Sequence, residues 1–584
     1  EEFNLNTGYH WQPSNGIQQE NGKNFKNRIL YKYTDETSVN LVKITGENGT
    51  KEELNRYPLP NTPNAYWELR VVEFNSEDSE ITSPITHSLS KQSPFFPHWT
   101  EYLVRFGWLP AESNGIWCQV LSRDQQKSQI LEISLNSIYN QDPTVNILFE
   151  DNSIPWVNIT DLHYFYKDSS NSLVMIWSGE QSGHRHLYKI TKLSQSTKLE
   201  RLTSGDWSVL DHQIFIDKIR GLVYFIGNRD NSIESHLYVT TLNGNSDQIL
   251  RLTTLGNSYK IQLNIAKGIG VMMFSNLSTP VKTQLFQLQF KDQNAIFPIL
   301  MPLSEFASSP VPMKSFLPKV EPFQFSNTVG ITLNGLIFKP SQLELSENLR
   351  LDYQFSTLLY VYGGPKSQLV TNEFQYQKLI RCYLACQLGY IVVVIDGRGT
   401  ANRGLDFESK IYGELGDCEL EDQVEGLNHL INKTPIGKFI NRQRIAITGW
   451  SYGGYLSLMA MVKYPDIFKL CISGAPVVDW EYYGNAYTER YLGFPDKNPQ
   501  GYKKSNILNY VESFPNEENR VLICHGMMDN NVHFSHTEKL INSLIKYNKP
   551  YQLQIFPNER HGLKEPNSLD HFDTLMFYWL KNYL

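Results

Sequence analysis

The chain has 584 residues, of which 41% are hydrophobic and 13% aromatic, and its formal net charge is -7 at pH 7. This length exceeds what one core of ordinary size needs, so we expect two or more domains. The charge is spread without long runs of one sign, which argues against nucleic acid as a partner and against a polybasic membrane anchor. The six cysteines lack disulfide-scaffold density and CxxC spacing and predict buried reduced thiols. No metal ion or other cofactor is expected.

The ends of the chain and its apolar runs bear on localisation. The longest apolar stretch, residues 390–395, has the length of a strand and is far too short to span a bilayer. The chain begins with Glu1-Glu2-Phe3 and shows neither an initiator methionine nor a charged-then-apolar leader. We therefore expect it to be truncated at its N-terminus, with any targeting segment lying upstream.

The first three hundred or so residues predict short strands, because Val, Ile, Tyr, Phe and Trp alternate with Asn, Asp, Gly and Ser. His186-Leu187-Tyr188 recurs 50 residues later as His236-Leu237-Tyr238, and Arg201-Leu202-Thr203 recurs at the same period as Arg251-Leu252-Thr253. This period is typical of a four-stranded propeller blade. The alternative is a β-sandwich in which the repeat arose by chance.

A cluster of prolines from Pro302 to Pro322 predicts a linker and the start of a second domain. We accordingly expect a partial β-propeller over residues 1–318 and an α/β-hydrolase domain over residues 319–584. Beyond the prolines, strand-like apolar runs alternate with helical patterns, which indicates a parallel sheet covered by helices. The predicted strands are Leu358–Tyr362, Ile391–Asp396, Arg444–Thr448, Val521–His525 and Gln552–Pro557.

The stretch Gly449-Trp450-Ser451-Tyr452-Gly453 satisfies Gly-x-Ser-x-Gly and lies between a predicted strand and a predicted helix. This is the context of a nucleophile elbow, and Ser451 is the predicted nucleophile. Such a hydroxyl needs a base and a carboxylate that orients the base. In an α/β-hydrolase these residues occur in the order serine, acid, histidine. Asp529 follows the predicted strand Val521–His525 and is the predicted acid, and His561 follows the predicted strand Gln552–Pro557 and is the predicted base. His525, His533 and His536 are interpreted as structural.

The tetrahedral intermediate of such chemistry needs hydrogen-bond donors for its oxyanion. Tyr362 stands directly before Gly363-Gly364-Pro365, after a predicted strand, where lipases carry their glycine-rich loop. Its hydroxyl and the backbone N–H of Tyr452 are the predicted donors.

Motifs along the second domain carry a family resemblance. They are Val361–Pro365, Asp396–Gly399, Asp422–Leu427, Gly449–Tyr455, Asp529–Phe534, Pro550–Ile555 and Pro557–His561, together with the opening Glu1-Glu2-Phe3. The chain resembles the prolyl oligopeptidase family, its dipeptidyl peptidase IV branch, and within that branch a cytosolic subgroup. The resemblance implies a serine-type dipeptidyl aminopeptidase that releases N-terminal X-Pro, and less readily X-Ala, through an acyl-enzyme.

The resemblance also assigns the residues that choose the substrate. Glu1 and Glu2 are implied to hold the free amino terminus of a peptide. A proline pocket is implied for Val477, Trp480, Tyr483, Tyr487, Asn531 and Val532, beside Tyr452. By spacing alone, Trp480, Tyr483 and Tyr487 are one face of a helix packed in the core, which is the usual explanation of such spacing, and only the resemblance favours a pocket.

Family members carry further propeller sequence ahead of the paired glutamates, including an arginine that binds the substrate's backbone carbonyl. At the 50-residue period, the chain holds at most about six blades where relatives have eight. The resemblance implies a cytoplasmic homodimer with peptides as its partners. Two alternatives stay open, a prolyl endopeptidase or acylaminoacyl peptidase, which needs no paired glutamates, and a catalytically silent protein that binds partners through its propeller.

Overall fold

The computed structural model describes residues 8–13, 26–46, 52–77, 80–194, 196–244, 248–292, 294–308, 317–343, 353–374 and 379–584. Within these residues the N-terminal part forms separate antiparallel sheets, and the C-terminal part forms one sheet of eight strands. The expected combination of an N-terminal β-propeller region with a C-terminal α/β-hydrolase domain is confirmed by this division. Glu1 and Glu2 lie outside the described residues.

The N-terminal sheets are built from strands that are neighbours in the sequence, except in the first sheet, where the β3–β4 hairpin is inserted between β2 and β5. Their orders are β1-β2-β5-β6, β7 to β10, β11 to β14, β15 to β18 and β19 to β22, and β3 pairs with β4 in a separate hairpin. Such four-stranded meanders are propeller blades, which argues against the sandwich alternative. The strands are β1 (Tyr9–Trp11), β2 (Lys26–Asp35), β3 (Leu41–Thr45), β4 (Glu52–Arg56), β5 (Tyr66–Glu77), β6 (Glu80–Ser90), β7 (Thr100–Trp108), β8 (Gly115–Ser122), β9 (Lys127–Ser134), β10 (Val145–Asn152), β11 (His163–Lys167), β12 (Leu173–Gly179), β13 (His186–Lys192), β14 (Thr197–Arg201), β15 (Phe215–Asp217), β16 (Leu222–Gly227), β17 (His236–Thr241), β18 (Ile249–Arg251), β19 (Ser258–Asn264), β20 (Ile269–Ser275), β21 (Lys282–Gln289) and β22 (Ile299–Ser308).

The 50-residue repeat has a structural cause. His186 begins β13 and His236 begins β17, which are the third strands of consecutive blades, and both side chains are fully buried. The Nδ1 atom of each lies 3.0 Å from a threonine hydroxyl, that of Thr203 in one blade and Thr253 in the next. The two repeated tripeptides therefore meet, because each histidine needs the threonine as its buried hydrogen-bond partner.

The second domain continues with β23 (Lys319–Ser326), β24 (Thr332–Lys339), β25 (Phe355–Tyr360), β26 (Ile391–Asp396), β27 (Ile440–Trp450), β28 (Leu470–Gly474), β29 (Val521–Gly526) and β30 (Gln552–Phe556). The α-helices of the described chain are α1 (Leu135–Asn140), α2 (Leu379–Cys386), α3 (Leu405–Glu408), α4 (Cys418–Lys433), α5 (Tyr452–Lys463), α6 (Asn485–Leu492), α7 (Pro499–Ser505), α8 (Ser535–Lys546) and α9 (Pro566–Tyr583). Short 3-10 helices span Ala111–Ser113, Ser409–Ile411, Pro435–Phe439, Trp480–Tyr482 and Ile507–Ser513.

The large sheet has the order β23-β24-β26-β25-β27-β28-β29-β30, and its strands run parallel from β26 to β30. Each of the five predicted strands is present, whereas β23, β24 and β28 were not predicted. Neighbouring residues such as Leu358 and Leu359 belong to different buried clusters, one on each face of the sheet. Because both faces are covered, the strands carry continuous apolar runs instead of an alternating pattern.

The predicted linker is wrong at both of its ends. Pro302 lies within β22, opposite Phe286, and Pro322 lies within β23, opposite Leu336. Both strands are at the edge of their sheets, where a proline costs no ladder hydrogen bond on its open side. No helix among the described residues is both long and apolar enough to cross a membrane.

Candidate active site

Ser451 occupies the turn between β27 and α5. Its backbone has φ 61° and ψ -117°, a conformation that side-chain-bearing residues rarely adopt. A Cβ added at Gly449 or Gly453 would lie 2.3 or 2.2 Å from the carbonyl oxygen of Val361, and one at Gly454 would lie 2.3 Å from that of Gly474. The glycines therefore let the turn approach the neighbouring strands, and the turn holds the serine in place.

The structure brings Ser451, Asp529 and His561 together from the loops that follow the parallel strands β27, β29 and β30 at their carboxyl ends. His561 Nε2 lies 3.0 Å from Ser451 Oγ, and His561 Nδ1 lies 2.8 Å from Asp529 Oδ2. With Nδ1 donating to the carboxylate, Nε2 is left as the acceptor for the serine proton. This hydrogen-bonded chain can generate an oxygen nucleophile at neutral pH.

The Asp529 carboxylate is fully buried yet held in its charged form. Burial alone would raise its pKa, but hydrogen bonds from His525 and His561 outweigh burial and lower the pKa to about 2. Its Oδ1 atom accepts backbone hydrogen bonds from Asn531 and Val532, each at 2.9 Å. A permanently ionised acid is what orienting the histidine requires.

His525 has a more specific place than the structural role predicted for it. Its Nε2 atom lies 3.1 Å from Asp529 Oδ2 and 2.9 Å from the carbonyl oxygen of Val532, both of which are acceptors, so this nitrogen carries a proton. Its Nδ1 atom lies 2.7 Å from the hydroxyl of Thr537. The sequence did offer a signal for this contact. His525 stands four residues before Asp529, near the end of β29, so the turn that follows the strand can bring the two side chains together.

The other two histidines, His533 and His536, pack against different elements. His536 is fully buried, and its ring contacts the backbone N–H of Val478 at 3.2 Å. The ring of His533 packs edge-to-face on Tyr57 of the N-terminal domain, with 4.4 Å between centroids.

The side chains of Tyr362 and Tyr452, the two residues predicted to supply oxyanion donors, are neighbours. Tyr362 follows β25, and its ring lies 6.2 Å from the ring of Tyr452. Tyr452 is the first residue of α5, so its backbone N–H is one of those a helix leaves without an intrahelical acceptor. The Tyr452 hydroxyl donates to Glu419, a fully buried carboxyl whose pKa is raised by burial. Glu419 thus anchors the Tyr452 side chain, a role that the sequence did not reveal.

The predicted proline pocket forms one aromatic box. Trp480 and Tyr487 stack in parallel at 5.9 Å and an interplanar angle of 9°, and Tyr483 packs edge-on to both. Tyr452 closes another side, 5.6 Å from Trp480. Flat rings in this arrangement suit a flat, apolar ring of a ligand.

The single-helix interpretation of these aromatics is wrong. Trp480 lies in the 3-10 helix Trp480–Tyr482, Tyr483 has extended backbone, and Tyr487 lies in α6. The chain bends between them, and the three rings contact one another from three different backbone segments.

The remaining predicted pocket residues are present beside the box. Val477 and Val532 are buried in the same cluster as Trp480. The Asn531 side chain accepts a hydrogen bond from the Tyr483 hydroxyl at 2.8 Å. The box is therefore joined to the loop of the candidate acid, Asp529.

Three observations concern metal binding and the contact between the two domains. Among the described residues, no group of three His, Cys, Asp or Glu side chains is placed to hold a metal ion. A cleft of about 880 Å³ separates the two domains beside the box, and Tyr483, Tyr487 and Asn531 line it from one side. Arg560, next to the candidate base, pairs with Glu53 of the hairpin strand β4 at 2.8 Å.

Comparison with known proteins matches both domains. Residues 376–584 match the family described as "Prolyl oligopeptidase family", and residues 1–281 match "Dipeptidyl peptidase IV (DPP IV) N-terminal region". Dipeptidyl peptidase 8 of Mus musculus is 35% identical over all of this chain and 69% of its own length, and that of Homo sapiens is 34% identical over all of the chain and 68% of its length. A probable dipeptidyl-aminopeptidase B of Neosartorya fischeri is 30% identical over 69% of the chain and 42% of its own length.

Proposed function

Because the chain belongs to the dipeptidyl peptidase IV branch of the prolyl oligopeptidase family of serine peptidases, we propose that it is a dipeptidyl aminopeptidase that releases X-Pro, and less readily X-Ala. The observation that carries the proposal is the hydrogen-bonded chain from Ser451 to Asp529 beside an aromatic box. Relatives named dipeptidyl peptidase and dipeptidyl-aminopeptidase support it.

In the proposed reaction, Ser451 Oγ attacks the carbonyl carbon of the substrate's proline residue while His561 Nε2 takes the proton of the serine hydroxyl. The N–H of Tyr452 and the hydroxyl of Tyr362 stabilise the oxyanion. The C–N bond then breaks, the leaving amine takes the proton from His561, and an ester remains on Ser451. Water hydrolyses the ester by the same steps and releases the dipeptide.

The substrate's free amine is proposed to pair with Glu1 and Glu2, which makes the enzyme count two residues from the end. The proline ring is proposed to enter the box of Trp480, Tyr483 and Tyr487. This part of the proposal is drawn from the sequence resemblance, and it separates the enzyme from a prolyl endopeptidase.

The test uses full-length protein with Gly-Pro-p-nitroanilide and its N-acetylated form. We expect cleavage of the free-amine form only, and its loss in Glu1→Gln/Glu2→Gln, while a fluorophosphonate still labels Ser451 in that variant. Equal cleavage of the acetylated form would show an endopeptidase or acylaminoacyl peptidase instead. Absence of both labelling and cleavage would favour a silent, partner-binding protein.

We further propose that the protein acts in the cytoplasm and as a homodimer, as the family resemblance implies. All six cysteines are free, as expected of a protein in a reducing compartment, although Cys418 is only half-buried. Fractionation of cells and light scattering of the purified full-length protein would test these two points.

A further inference from the structure

The helix that carries Tyr487 is held by residues of the propeller. The side chain of Glu489 on α6 is fully buried, and Arg123, in the turn between β8 and β9, binds both of its oxygens, at 2.9 and 2.7 Å. The backbone N–H of Asn61 donates to the same carboxylate at 2.9 Å. A buried carboxylate is tolerated because these donors satisfy it, and all of them come from the other domain.

Gln125, two residues further along the same turn, makes a second connection between the domains. Gln125 is fully buried, and its amide donates to the carbonyl oxygen of Ala486 while accepting from Arg490 Nε, each at 2.6 Å. Arg490 is fully buried as well. One turn of the propeller therefore holds a main-chain carbonyl and two charged side chains of a helix only eight residues long.

The N-terminal end of α6 is fixed from the propeller too. The N–H of Asn485 donates to the carbonyl oxygen of Pro58 at 2.9 Å, and the N–H of Gly484 donates to the hydroxyl of Tyr57 at 2.9 Å. That hydroxyl in turn donates to the carbonyl oxygen of Asn531 at 2.8 Å. A single tyrosine thus joins the helix start to the loop of the candidate acid.

Because α6 is helical, the contacts that hold Glu489 also fix the position of Tyr487 in the aromatic box. Residues two apart leave a helix on roughly opposite sides, because each residue turns about 100°. Glu489 therefore faces the propeller while Tyr487 faces Trp480. Holding Glu489 fixes the rotation of the helix and with it the wall of the box.

We propose that Arg123 and Gln125 of the propeller are positioning residues for the specificity pocket, so that the pocket is complete only when the two domains are docked. This inference rests on the proposed function for the identity of the ligand. The docking itself is independent of it. Because a displaced pocket wall loses substrate binding more than it alters the triad, the effect falls on KM before kcat.

The first variant, Arg123→Met, removes the guanidinium that binds both oxygens of Glu489. The second, Arg123→Lys, keeps a positive charge without bidentate binding. The third, Arg123→Met/Glu489→Gln, also removes the carboxylate charge that the first variant leaves buried without its arginine partner. Arg220→Met is the matched control, because Arg220 pairs with Asp217 inside one propeller blade. The readouts on full-length protein are hydrogen exchange of the α6 amides, KM and kcat for Gly-Pro-p-nitroanilide, and fluorophosphonate labelling of Ser451.

We expect faster hydrogen exchange of the α6 amides in Arg123→Met than in the parent protein. We also expect KM to rise by at least about tenfold, because the variant loses two charge-assisted hydrogen bonds. Labelling of Ser451 should change less than about threefold, Arg123→Lys should recover part of the loss, and the double variant should stay impaired. Unchanged α6 exchange, an equal loss of labelling, or full recovery in the double variant would overturn the proposal. If the parent protein does not cleave Gly-Pro-p-nitroanilide, the proposed function fails, and α6 exchange with labelling still decides the positioning role.

Discussion

The Nε2 atom of His525 lies 3.1 Å from Asp529 Oδ2, the same oxygen that the candidate base contacts at 2.8 Å. One buried carboxylate oxygen thus accepts hydrogen bonds from two histidines. These hydrogen bonds hold the acid in its charged form against the opposing effect of burial.

Acidification should therefore destabilise the protein through Asp529. Its pKa falls from an ordinary value of about 4 to about 2 in the folded protein, so the unfolded chain binds more protons between these values. The carboxylate contributes stability above pH 4, on the order of 2 kcal/mol, which is lost as the pH falls towards 2. We expect the difference in thermal midpoint between the parent protein and Asp529→Asn to shrink over this window.

Replacing His525 by Leu should shift the pH range of this acid destabilisation to higher pH. The variant removes one hydrogen bond to Asp529 and leaves the burial that raises its pKa, so acid destabilisation should begin at a higher pH than in the parent protein. His525→Gln retains an amide donor and is the matched control. Identical acid unfolding curves for the Leu variant and the parent would show that His525 does not influence the carboxylate.

Tyr362→Phe should lower kcat by about 10²–10³ with little change in KM, because one proposed oxyanion donor is lost only where charge develops in the transition state. Tyr383→Phe, at a half-exposed tyrosine of α2, is the control and should keep the parent kcat. Steady-state kinetics on Gly-Pro-p-nitroanilide measure both. A kcat for Tyr362→Phe within threefold of the parent value would remove Tyr362 from the oxyanion site.

Gly449→Ala should destabilise the hydrolase domain by about 1–3 kcal/mol or more, because the new Cβ would lie 2.3 Å from the carbonyl oxygen of Val361. Gly562→Ala offers a comparison within the same domain, since no atom lies within 4 Å of its Cβ. Denaturant unfolding should show a lower midpoint for the first variant only. Equal midpoints would mean that the backbone at Val361 moves to accommodate the new Cβ without loss of stability.

Thr203→Val should cost about 1–3 kcal/mol, because it removes the partner of the buried His186 Nδ1 and of the backbone N–H of Leu187. Thr253→Val should cost a similar amount, since the next blade has the same 3.0 Å contact. Thr203→Ser keeps the hydroxyl and serves as the control. If valine and serine at 203 gave the same thermal midpoint, the hydroxyl would not stabilise the blade.

Local chemistry made much of this protein predictable from its sequence. The elbow around Ser451 needs glycines at fixed offsets, and the parallel strands need continuous apolar runs, so both leave a pattern in consecutive residues. The repeat of His186 at His236 is readable for the same reason, because each blade makes the same buried hydrogen bond. The strand Leu470–Gly474 was missed, because its last two residues, Ser473 and Gly474, interrupt the apolar run that marks the other parallel strands.

The tertiary structure alone decided which distant residues share a site. Nothing in consecutive residues reveals that Glu419 meets Tyr452, or that Arg123 meets Glu489 across 366 positions of the chain. Such buried pairs are selected by the docking of whole elements, and a charged side chain in a sequence otherwise predicts an exposed face. The sequence determined the chemistry of Ser451, and the packing of the propeller against the hydrolase domain determined the walls of the pocket beside it.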